Sequence, residues 1–244
     1  MSFVRLDKLL VDRGLVPSRE RAQAMILAGQ VEVNGLRVSK AGQKVAEASD
    51  IRLLIDDLPF VSRGGIKLQH AISHFQLNLA NTVAMDVGAS TGGFTDCLLQ
   101  HGVRRVYAID VGYGQLAWKL RIDPRVIVLE RQNIRHLPAH FIPEPIQVAT
   151  IDTSFISLKI VIPAVMPFLG SAATLIALIK PQFEVGRGQV GKGGVVRDPE
   201  MHQRVCRVIE ELCAQLGLQV VGTTPSPFLG PKGNQEFLIV ASKN

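Results

Sequence analysis

The chain has 244 residues, of which 47% are hydrophobic and 20% are charged, a composition typical of globular proteins and unlike that of collagen or a disordered chain. At about 150 residues per domain, this length predicts one or two domains. The 27 Lys and Arg residues outnumber the 21 Asp and Glu residues, and the resulting net charge of +6 favours polyanionic partners.

Neither a membrane helix nor a secretion signal is expected. The longest run dominated by apolar residues, 172–179, is far shorter than the roughly 20 residues that a membrane helix needs. The first eight residues mix charged and apolar side chains, whereas a signal peptide has a basic start followed by an apolar stretch. We therefore expect a cytoplasmic protein without a membrane partner.

The cysteines and histidines predict no metal site. Cys97, Cys206 and Cys213 are odd in number and lack C-x-x-C spacing, which argues against both a disulfide framework and a zinc site. Reduced, mostly buried thiols are the better interpretation. None of the six histidines has metal-like spacing either, so no metal is expected.

The chain begins with two predicted short helices. Apolar residues at helical spacing lead up to Gly14 and again up to Gly29, each of which can end a helix. Ser18 stands where the second helix needs an N-terminal cap. This pattern predicts helix, turn and helix within the first 30 residues.

Strands are predicted to follow these helices. Apolar residues alternate with polar ones on both sides of Asn34-Gly35, a dipeptide that favours the tight turn of a β-hairpin. A last strand at 51–55 precedes the polar, proline-containing stretch 56–59, which we interpret as a linker. The expected domains are therefore a small α+β unit at 1–58 and a larger unit at 59–244.

The sequence of the larger unit predicts apolar strands that alternate with helices. This order is typical of a parallel sheet with crossover helices, and an open Rossmann-like sheet is expected. The predicted strands lie near 83–87, 105–110, 126–129, 148–152, 174–180, 218–223 and 237–241. The predicted helices lie near 65–75, 92–101, 158–168 and 199–216.

A glycine-rich turn follows the first of these strands. Its residues Gly88, Ser90, Gly92 and Gly93 lead into a helix, whose N-terminus favours a carboxylate or phosphate. Asp110 follows 22 residues after Gly88 at the end of the next strand, where an acidic residue can bind ribose hydroxyls. Since the dinucleotide fingerprint is absent, S-adenosylmethionine fits better than NAD. A turn that only tightens the βαβ unit is the alternative.

The same turn also permits a distant alternative, a serine hydrolase. Residues 88–92 match G-x-S-x-G, and Asp152 and His202 follow Ser90 in hydrolase order. However, the nucleophile elbow normally follows several strands, whereas this turn follows the first strand of the predicted sheet. No HGGG-like segment precedes it either.

Two further ionisable residues end predicted strands. Asp152 and Lys180 follow the fourth and fifth strands, and ligands of open α/β sheets bind at such carboxyl ends. If each residue is considered alone, a purely structural role is possible: Asp152 could cap a helix, and Lys180 could extend to solvent. Together they predict an acid and an amine beside the methyl donor.

These segments resemble the hemolysin A-like (TlyA-type) ribosomal RNA methyltransferases, which have the FtsJ-type fold. The matching segments are 61–68, 86–95, 110–118, 151–155, 178–183 and 233–237. The resemblance implies ribose 2′-O-methylation, with cytidine as the nucleotide, and a catalytic tetrad of Lys67, Asp152, Lys180 and Glu236. It also implies S-adenosylmethionine binding by the glycine turn and Asp110, with Asn133 near the adenine.

The first 58 residues resemble the alpha-L RNA-binding module of a small-subunit ribosomal protein, pseudouridine synthases and tyrosyl-tRNA synthetases. The resemblance implies binding to ribosomal RNA or ribosomal subunits, through some of the basic residues Arg5, Lys8, Arg19, Arg21, Arg37, Lys40 and Lys44. The glycine-rich stretch 183–197 is interpreted as a mobile basic lid that carries Arg187 and Lys192, with an ordinary surface loop as the alternative.

Two questions of function stay open at the level of sequence. Lys180 is the expected proton acceptor, but a charged Lys180 could instead orient the hydroxyl while a carboxylate takes the proton. A non-catalytic RNA-binding or ribosome-assembly factor is the second class of function, although such a protein needs neither the tetrad nor the glycine turn.

Overall fold

The computed structural model describes residues 3–16, 18–27, 29–53, 59–191 and 193–243. The chain forms two compact units, Met1–Leu58 and Pro59–Asn244. Apart from Pro59, the stretch interpreted as a linker lies outside the described residues, as does the end of the strand predicted at 51–55.

The first unit combines two helices with short antiparallel strands. Its elements are β1 (Phe3–Arg5), α1 (Leu6–Asp12), α2 (Arg19–Leu27), β2 (Val31–Val33), β3 (Leu36–Arg37), β4 (Lys44–Ala46) and β5 (Ile51–Leu53). Strands β3, β2 and β5 form one sheet in that order, and β1 pairs with β4. The two predicted helices and the hairpin are thus present, whereas the β1–β4 pair was not predicted.

Local sequence signals explain the turns of this unit. Asn34 and Gly35 have φ values of 50° and 78°, the left-handed values that a tight hairpin turn between β2 and β3 requires. The Ser18 hydroxyl accepts a hydrogen bond of 3.2 Å from the N–H of Arg21 and so caps α2. Apolar side chains of α1, α2 and β2 then close a small separate core.

The second unit alternates strands and helices. Its elements are α3 (Arg63–His74), β6 (Val83–Val87), α4 (Gly93–Gln100), β7 (Arg105–Asp110), α5 (Trp118–Arg121), β8 (Val126–Glu130), β9 (Ile146–Ile151), α6 (Leu158–Val165), β10 (Leu169–Ile179), α7 (Pro181–Glu184), α8 (Pro199–Gln215), β11 (Leu218–Pro225) and β12 (Phe237–Lys243). The short helices α5 and α7 were not predicted. The helix predicted at 158–168 ends earlier and continues as a 3₁₀ turn, Met166–Phe168, in which Pro167 has no N–H to donate.

The strands form one seven-stranded sheet in the order β11-β12-β10-β9-β6-β7-β8. Strands β6 to β10 are parallel, and β12 runs antiparallel between β10 and β11. Two apolar layers, one on each face, bury the sheet between the helices. The predicted open α/β sheet is therefore confirmed.

The strand order also locates a crevice. From β6 the chain moves outward through β7 and β8, and then returns to place β9 on the other side of β6. Ligands of open α/β sheets bind beyond the carboxyl ends of the strands at such a reversal. The loops after β6 and β9 meet there.

All three cysteines are buried free thiols. Burial raises the pKa of Cys97 to about 12 and that of Cys213 to about 11, so neither is a ready nucleophile at neutral pH. Within the described ranges, no helix has the length and apolarity that a membrane crossing needs.

Candidate active site

The glycine turn after β6 is packed against the end of β9. Gly88 has a φ of 86°, and a Cβ there would lie 2.6 Å from the carbonyl oxygen of Asp152. A Cβ on Gly93 would lie 2.2 Å from the Ser62 hydroxyl, where α4 begins beside the start of α3. Glycine is therefore needed for close approach of protein segments, as the tightening alternative expects. Gly88, Ser90 and Gly93 nevertheless also line a cavity.

Gly92 differs from the other residues of the turn. It has a φ of 95°, and a Cβ there would meet the side chains of Leu120 and Leu116 at 2.2 and 2.8 Å. It lines neither of the two cavities described below. Glycine is needed at this position because the backbone is left-handed there and because Leu116 and Leu120 leave no room for a side chain.

Asp110 ends β7 and faces the turn. Its Oδ2 accepts a hydrogen bond of 2.8 Å from the N–H of Ser90, and its Oδ1 accepts one of 2.7 Å from the N–H of Gly112. These bonds fix the carboxylate at the wall of a cavity of about 460 Å³. Carboxylate oxygens accept several hydrogen bonds, so this group can still bind hydroxyl donors.

This first cavity has one polar edge and an apolar wall. Asn133 lines it, and its Oδ1 accepts a hydrogen bond of 3.1 Å from the N–H of Arg135. The apolar side chains along it are Val87, Ile109, Val111, Ile134, Phe155, Ile156 and Val161. The buried Thr153 hydroxyl oxygen has no hydrogen-bond partner among the described residues, although buried polar atoms normally have one. A carboxylate, an amide and an apolar wall fit a nucleoside.

A second cavity of about 680 Å³ adjoins the first and shares Gly88, Ser90, Asp152 and Ser154 with it. The four residues of the predicted tetrad, Lys67, Asp152, Lys180 and Glu236, all line this second cavity, which we call the cleft. They come from α3, from the loop after β9, from the position just after β10 and from the position just before β12. The fold thus brings together residues that are far apart in sequence.

The tetrad forms two ion pairs. Lys180 Nζ lies 2.5 Å from Asp152 Oδ1 and donates a second hydrogen bond of 3.1 Å to Ser154 Oγ. Lys67 Nζ lies 2.5 Å from Glu236 Oε2. Lys180 is 7% exposed and Glu236 is fully buried, so each charge depends on its partner for compensation. Glu236 Oε1 is buried and has no hydrogen-bond partner among the described residues.

A buried acid lies beneath the glycine turn. Asp86 on β6 accepts hydrogen bonds from the hydroxyls of Thr95 and Thr150, at 2.7 and 3.0 Å. Burial raises its pKa to about 7 despite these bonds, and the negative charge of Asp152 adds to the rise. Asp86 lines neither cavity, so its contacts join β6, α4 and β9 beneath the site.

Phe155, Arg63 and Lys232 are among the residues of the site that were not predicted. Phe155 is 91% exposed, has a φ of 64°, and stands in the loop after Asp152 with its ring 5.2 Å from that of Phe183. Arg63 and Lys232 line the cleft beside the tetrad. A positive φ in an exposed aromatic residue cannot be inferred from sequence, which explains why Phe155 was missed.

The hydrolase residues do not assemble. Ser90 Oγ donates a hydrogen bond of 3.3 Å to Gln115 Oε1. The His202 ring nitrogen instead lies 2.9 Å from the carbonyl oxygen of Val196, and His202 lines neither cavity. Ser90 therefore has a turn position without the base that a nucleophile needs. Among the described residues, no group of three His, Cys, Asp or Glu side chains could hold a metal ion.

The basic residues predicted for RNA binding fall into three groups. Arg5 and Arg19 both form ion pairs with the buried Asp7. Arg37, Lys40 and Lys44 line a groove of about 550 Å³ in the first unit. Lys8 and Arg21 are exposed on the two helices.

The stretch interpreted as a lid is described only in part. Arg187 starts a 3₁₀ turn, Arg187–Gln189, which follows α7. Lys192 lies outside the described residues. Further along, Gly191 and Val195 form an isolated antiparallel bridge, so this segment has some regular pairing.

Comparisons with known proteins match both units. Residues 60–243 match the FtsJ-like methyltransferase family, and residues 4–51 match the S4 domain. The chain is 46% identical to the "Putative rRNA methyltransferase YqxC" of Bacillus subtilis, over 96% of this chain and 84% of the relative. It is 44% identical to the 16S/23S rRNA (cytidine-2′-O)-methyltransferase TlyA of Mycobacterium tuberculosis, over 96% of this chain and 88% of the relative.

A solved structure agrees with these matches. The "Putative hemolysin from Streptococcus thermophilus" is 41% identical, with a TM-score of 0.78 that covers 100% of this chain and 90% of that one. The resemblance on which the sequence predictions were based is thereby confirmed.

Proposed function

Because the chain belongs to the FtsJ-like methyltransferase family, we propose that it transfers a methyl group from S-adenosylmethionine to a ribose 2′-hydroxyl of cytidine in ribosomal RNA. The observation that carries this proposal is the cleft, in which Lys67, Asp152, Lys180 and Glu236 form two adjacent ion pairs next to a nucleoside-sized cavity. Such a substrate places the protein in the cytoplasm, where ribosomes work.

The residues of the first cavity fit S-adenosylmethionine, which supplies an electrophilic methyl group on a sulfonium when it is bound. Asp110 would accept hydrogen bonds from its ribose hydroxyls, and Asn133 would lie beside its adenine. The glycine turn would bind its amino-acid end near the N-terminus of α4, where backbone N–H groups favour a carboxylate. The unpartnered Thr153 hydroxyl is consistent with a polar ligand here.

Lys180 and Asp152 would together handle the proton of the attacking hydroxyl. A charged ammonium has no lone pair, so Lys180 can accept a proton only after it gives one to Asp152, which lies 2.5 Å away. The neutral amine would then take the hydroxyl proton as the methyl group passes to the hydroxyl oxygen, its bond to the sulfonium sulfur breaks and the donor leaves as a neutral thioether. Lys67 and Glu236 form the neighbouring ion pair, which sets the charge around the hydroxyl.

The first unit would supply RNA affinity. Its S4 domain presents exposed basic residues on α1, on α2 and along the groove that contains Arg37, Lys40 and Lys44. Contacts from Lys and Arg to phosphates fix the register of a protein on nucleic acid and carry most of the affinity. The second unit would then select the hydroxyl to be methylated.

The proposal is tested by incubating ribosomal subunits that lack 2′-O-methylcytidine with the full chain and isotope-labelled methyl donor. Nucleoside mass spectrometry should find the label in 2′-O-methylcytidine, and Lys180→Ala should give little of it. Label in a base, or in protein, would contradict ribose methylation. An unlabelled RNA with normal RNA binding would instead support a non-catalytic binding protein.

A further inference from the structure

The charges that line the cleft do not balance. Four cations, Arg63, Lys67, Lys180 and Lys232, face two anions, Asp152 and Glu236. Both anions are already committed, because each lies 2.5 Å from one of the two tetrad lysines. Among the described residues, Arg63 and Lys232 have no ion-pair partner. The uncompensated positive charge of the cleft therefore resides on these two side chains.

Arg63 stands next to the tetrad on α3. It is the first residue of that helix and precedes Lys67 by four residues, so both side chains lie on the same helix face. It is exposed, whereas Lys67 extends into the ion pair with Glu236. Arg63 thus lines the cleft as an exposed side chain, and it forms no ion pair with any residue that the structure describes.

Lys232 reaches the cleft from a turn that is held in a strained form. Its φ is 60°, which costs energy for a residue with a side chain and persists only where the surroundings impose it. The buried Asn234 ties the end of this turn to the segment 194–196: its Nδ2 donates to the carbonyl oxygen of Gly194 at 2.9 Å, and its Oδ1 accepts from the N–H of Val196 at 3.0 Å. The carbonyl of Asn234 also accepts from the N–H of Gly230 at 2.7 Å.

The chemistry of a ribose within RNA supplies the matching anion. The carbon that bears the 2′-hydroxyl is bonded to the carbon whose oxygen carries the 3′-phosphate. A hydroxyl held at Lys180 therefore brings a phosphodiester into the same cleft. Lys67 and Lys180 are neutralised by their acids, so neither is free to compensate that charge.

We propose that Arg63 and Lys232 bind the phosphodiesters next to the target ribose and so make the site selective for a hydroxyl within an RNA chain. This inference rests on the proposed function and adds a substrate-binding site to it. Arg63 supplies a planar fork for two phosphate oxygens, and Lys232 supplies a point charge. A free nucleoside lacks the phosphate and would bind without these contacts.

The test uses full-length protein and the shortest ribosomal RNA fragment that it methylates. One version of the fragment carries a neutral methylphosphonate in place of the phosphate 3′ to the target. We expect Arg63→Gln and Lys232→Gln each to lower kcat/KM for the normal fragment by about 10-fold or more, in the range of charge-assisted hydrogen bonds. Arg207→Gln, a matched change of an exposed arginine on α8, should have no effect.

The methylphosphonate separates phosphate binding from a general loss of activity. The methylphosphonate should lower the kcat/KM of the wild type by a similar factor. It should lower the kcat/KM of the variant that has already lost the phosphate contact by less than about 2-fold. The affinity for S-adenosylmethionine should stay within 2-fold in both variants. Weaker cofactor binding would assign these cations to the carboxylate of the cofactor and overturn the inference.

Two other outcomes are distinguishable. If the wild type methylates the fragment and both variants behave like Arg207→Gln, the inference is wrong while the proposed function stands. If the wild type methylates no RNA, the proposed function fails and the inference fails with it. Partial recovery by Arg63→Lys, which restores charge without the fork, would support phosphate binding.

Discussion

At the scale of single residues, Asp7 shows how one buried carboxylate can organise an RNA-binding surface. Its oxygens accept hydrogen bonds from Arg5 Nε and Nη2 at 3.0 and 2.8 Å, from Arg19 Nη2 at 3.0 Å and from Gln23 Nε2 at 2.9 Å. The hydrogen bonds from Arg5 hold the pKa of this carboxyl well below its usual range, against the opposing effect of burial. Both arginine side chains are about half exposed, so they stay available to phosphates.

We predict that Asp7→Asn destabilises the first unit by about 1.5–3 kcal/mol, since hydrogen bonds to a charged acceptor are lost. Because the folded pKa is depressed, this stabilisation is complete above the unfolded pKa of about 3.9 and is lost as the pH falls towards the folded value. The difference between variant and wild type should therefore shrink below about pH 4. Amide hydrogen exchange in α1 and α2 of the full chain measures this difference in stability at each pH.

The control for this prediction is Asp50→Asn. Asp50 and Arg52 form an ion pair of 3.7 Å between side chains that are 69% and 76% exposed, and such pairs contribute little. We expect a change below about 0.5 kcal/mol. Equal losses of stability in the two variants would show that the buried hydrogen bonds of Asp7 stabilise the unit no more than an exposed ion pair does.

A second residue-scale prediction separates Lys180 from Ser90. Lys180→Ala should lower the rate of methyl transfer by about 10²-fold or more, the contribution of a positioned acid–base group. Affinity for the methyl donor should survive, because Lys180 does not line the cavity that contains Asp110. Ser90→Ala removes only a hydrogen bond to Gln115 and should be far milder. Single-turnover assays with labelled donor measure the methyl-transfer rate of both variants. A near-normal rate for Lys180→Ala would show that Lys180 takes no part in the reaction.

At the scale of elements, the sequence was informative where an element is long or ends in an unusual residue. The buried strand β6 followed by three glycines within six residues predicted the turn, and parallel strands explained why Asp110, Asp152 and Lys180 would share one edge. Strands β1 and β4 have three residues each, too few for a period to be read. Only their antiparallel pairing in the folded unit defines them.

The rest of the tetrad illustrates a second limit. Lys67 lies on a helix, and Glu236 precedes a strand that is antiparallel to its neighbours. No rule about strand ends would bring these two together, so only the resemblance to a family suggested them. Arg63, Lys232 and Phe155 were missed because their positions depend on how α3, the turn before β12 and the loop after β9 pack.

The element-scale prediction compares two glycines with positive φ. Gly88→Ala places a Cβ 2.6 Å from the Asp152 carbonyl, whereas Gly217→Ala, at a φ of 78°, meets nothing within 4 Å. Both should lose about 1–2 kcal/mol of stability from the left-handed conformation. Gly88→Ala should lose roughly 1–3 kcal/mol more from overpacking and should also slow methyl transfer, because it displaces Asp152. Thermal unfolding and the assay above measure both; normal activity in Gly88→Ala would contradict this account.

At the scale of the whole molecule, the positive charge is unevenly divided. Residues 1–58 carry 9 Lys and Arg against 8 Asp and Glu, so nearly all of the net charge of +6 belongs to residues 59–244. RNA affinity in the first unit must therefore come from the arrangement of its basic side chains. Asp7 is buried beneath two of them, while Arg37, Lys40 and Lys44 share one groove.

The final prediction concerns removal of residues 1–58. Salt dependence counts phosphate contacts, because each one lost lowers the slope of log affinity against log salt by about 0.9 on duplex-like RNA. The chain 59–244 should therefore bind ribosomal RNA more weakly and with a shallower slope than the full chain. Its affinity for S-adenosylmethionine, measured by calorimetry, should be unchanged, since both cavities of the candidate site are lined by residues 62–236. An unchanged salt slope would show that the second unit alone engages the RNA.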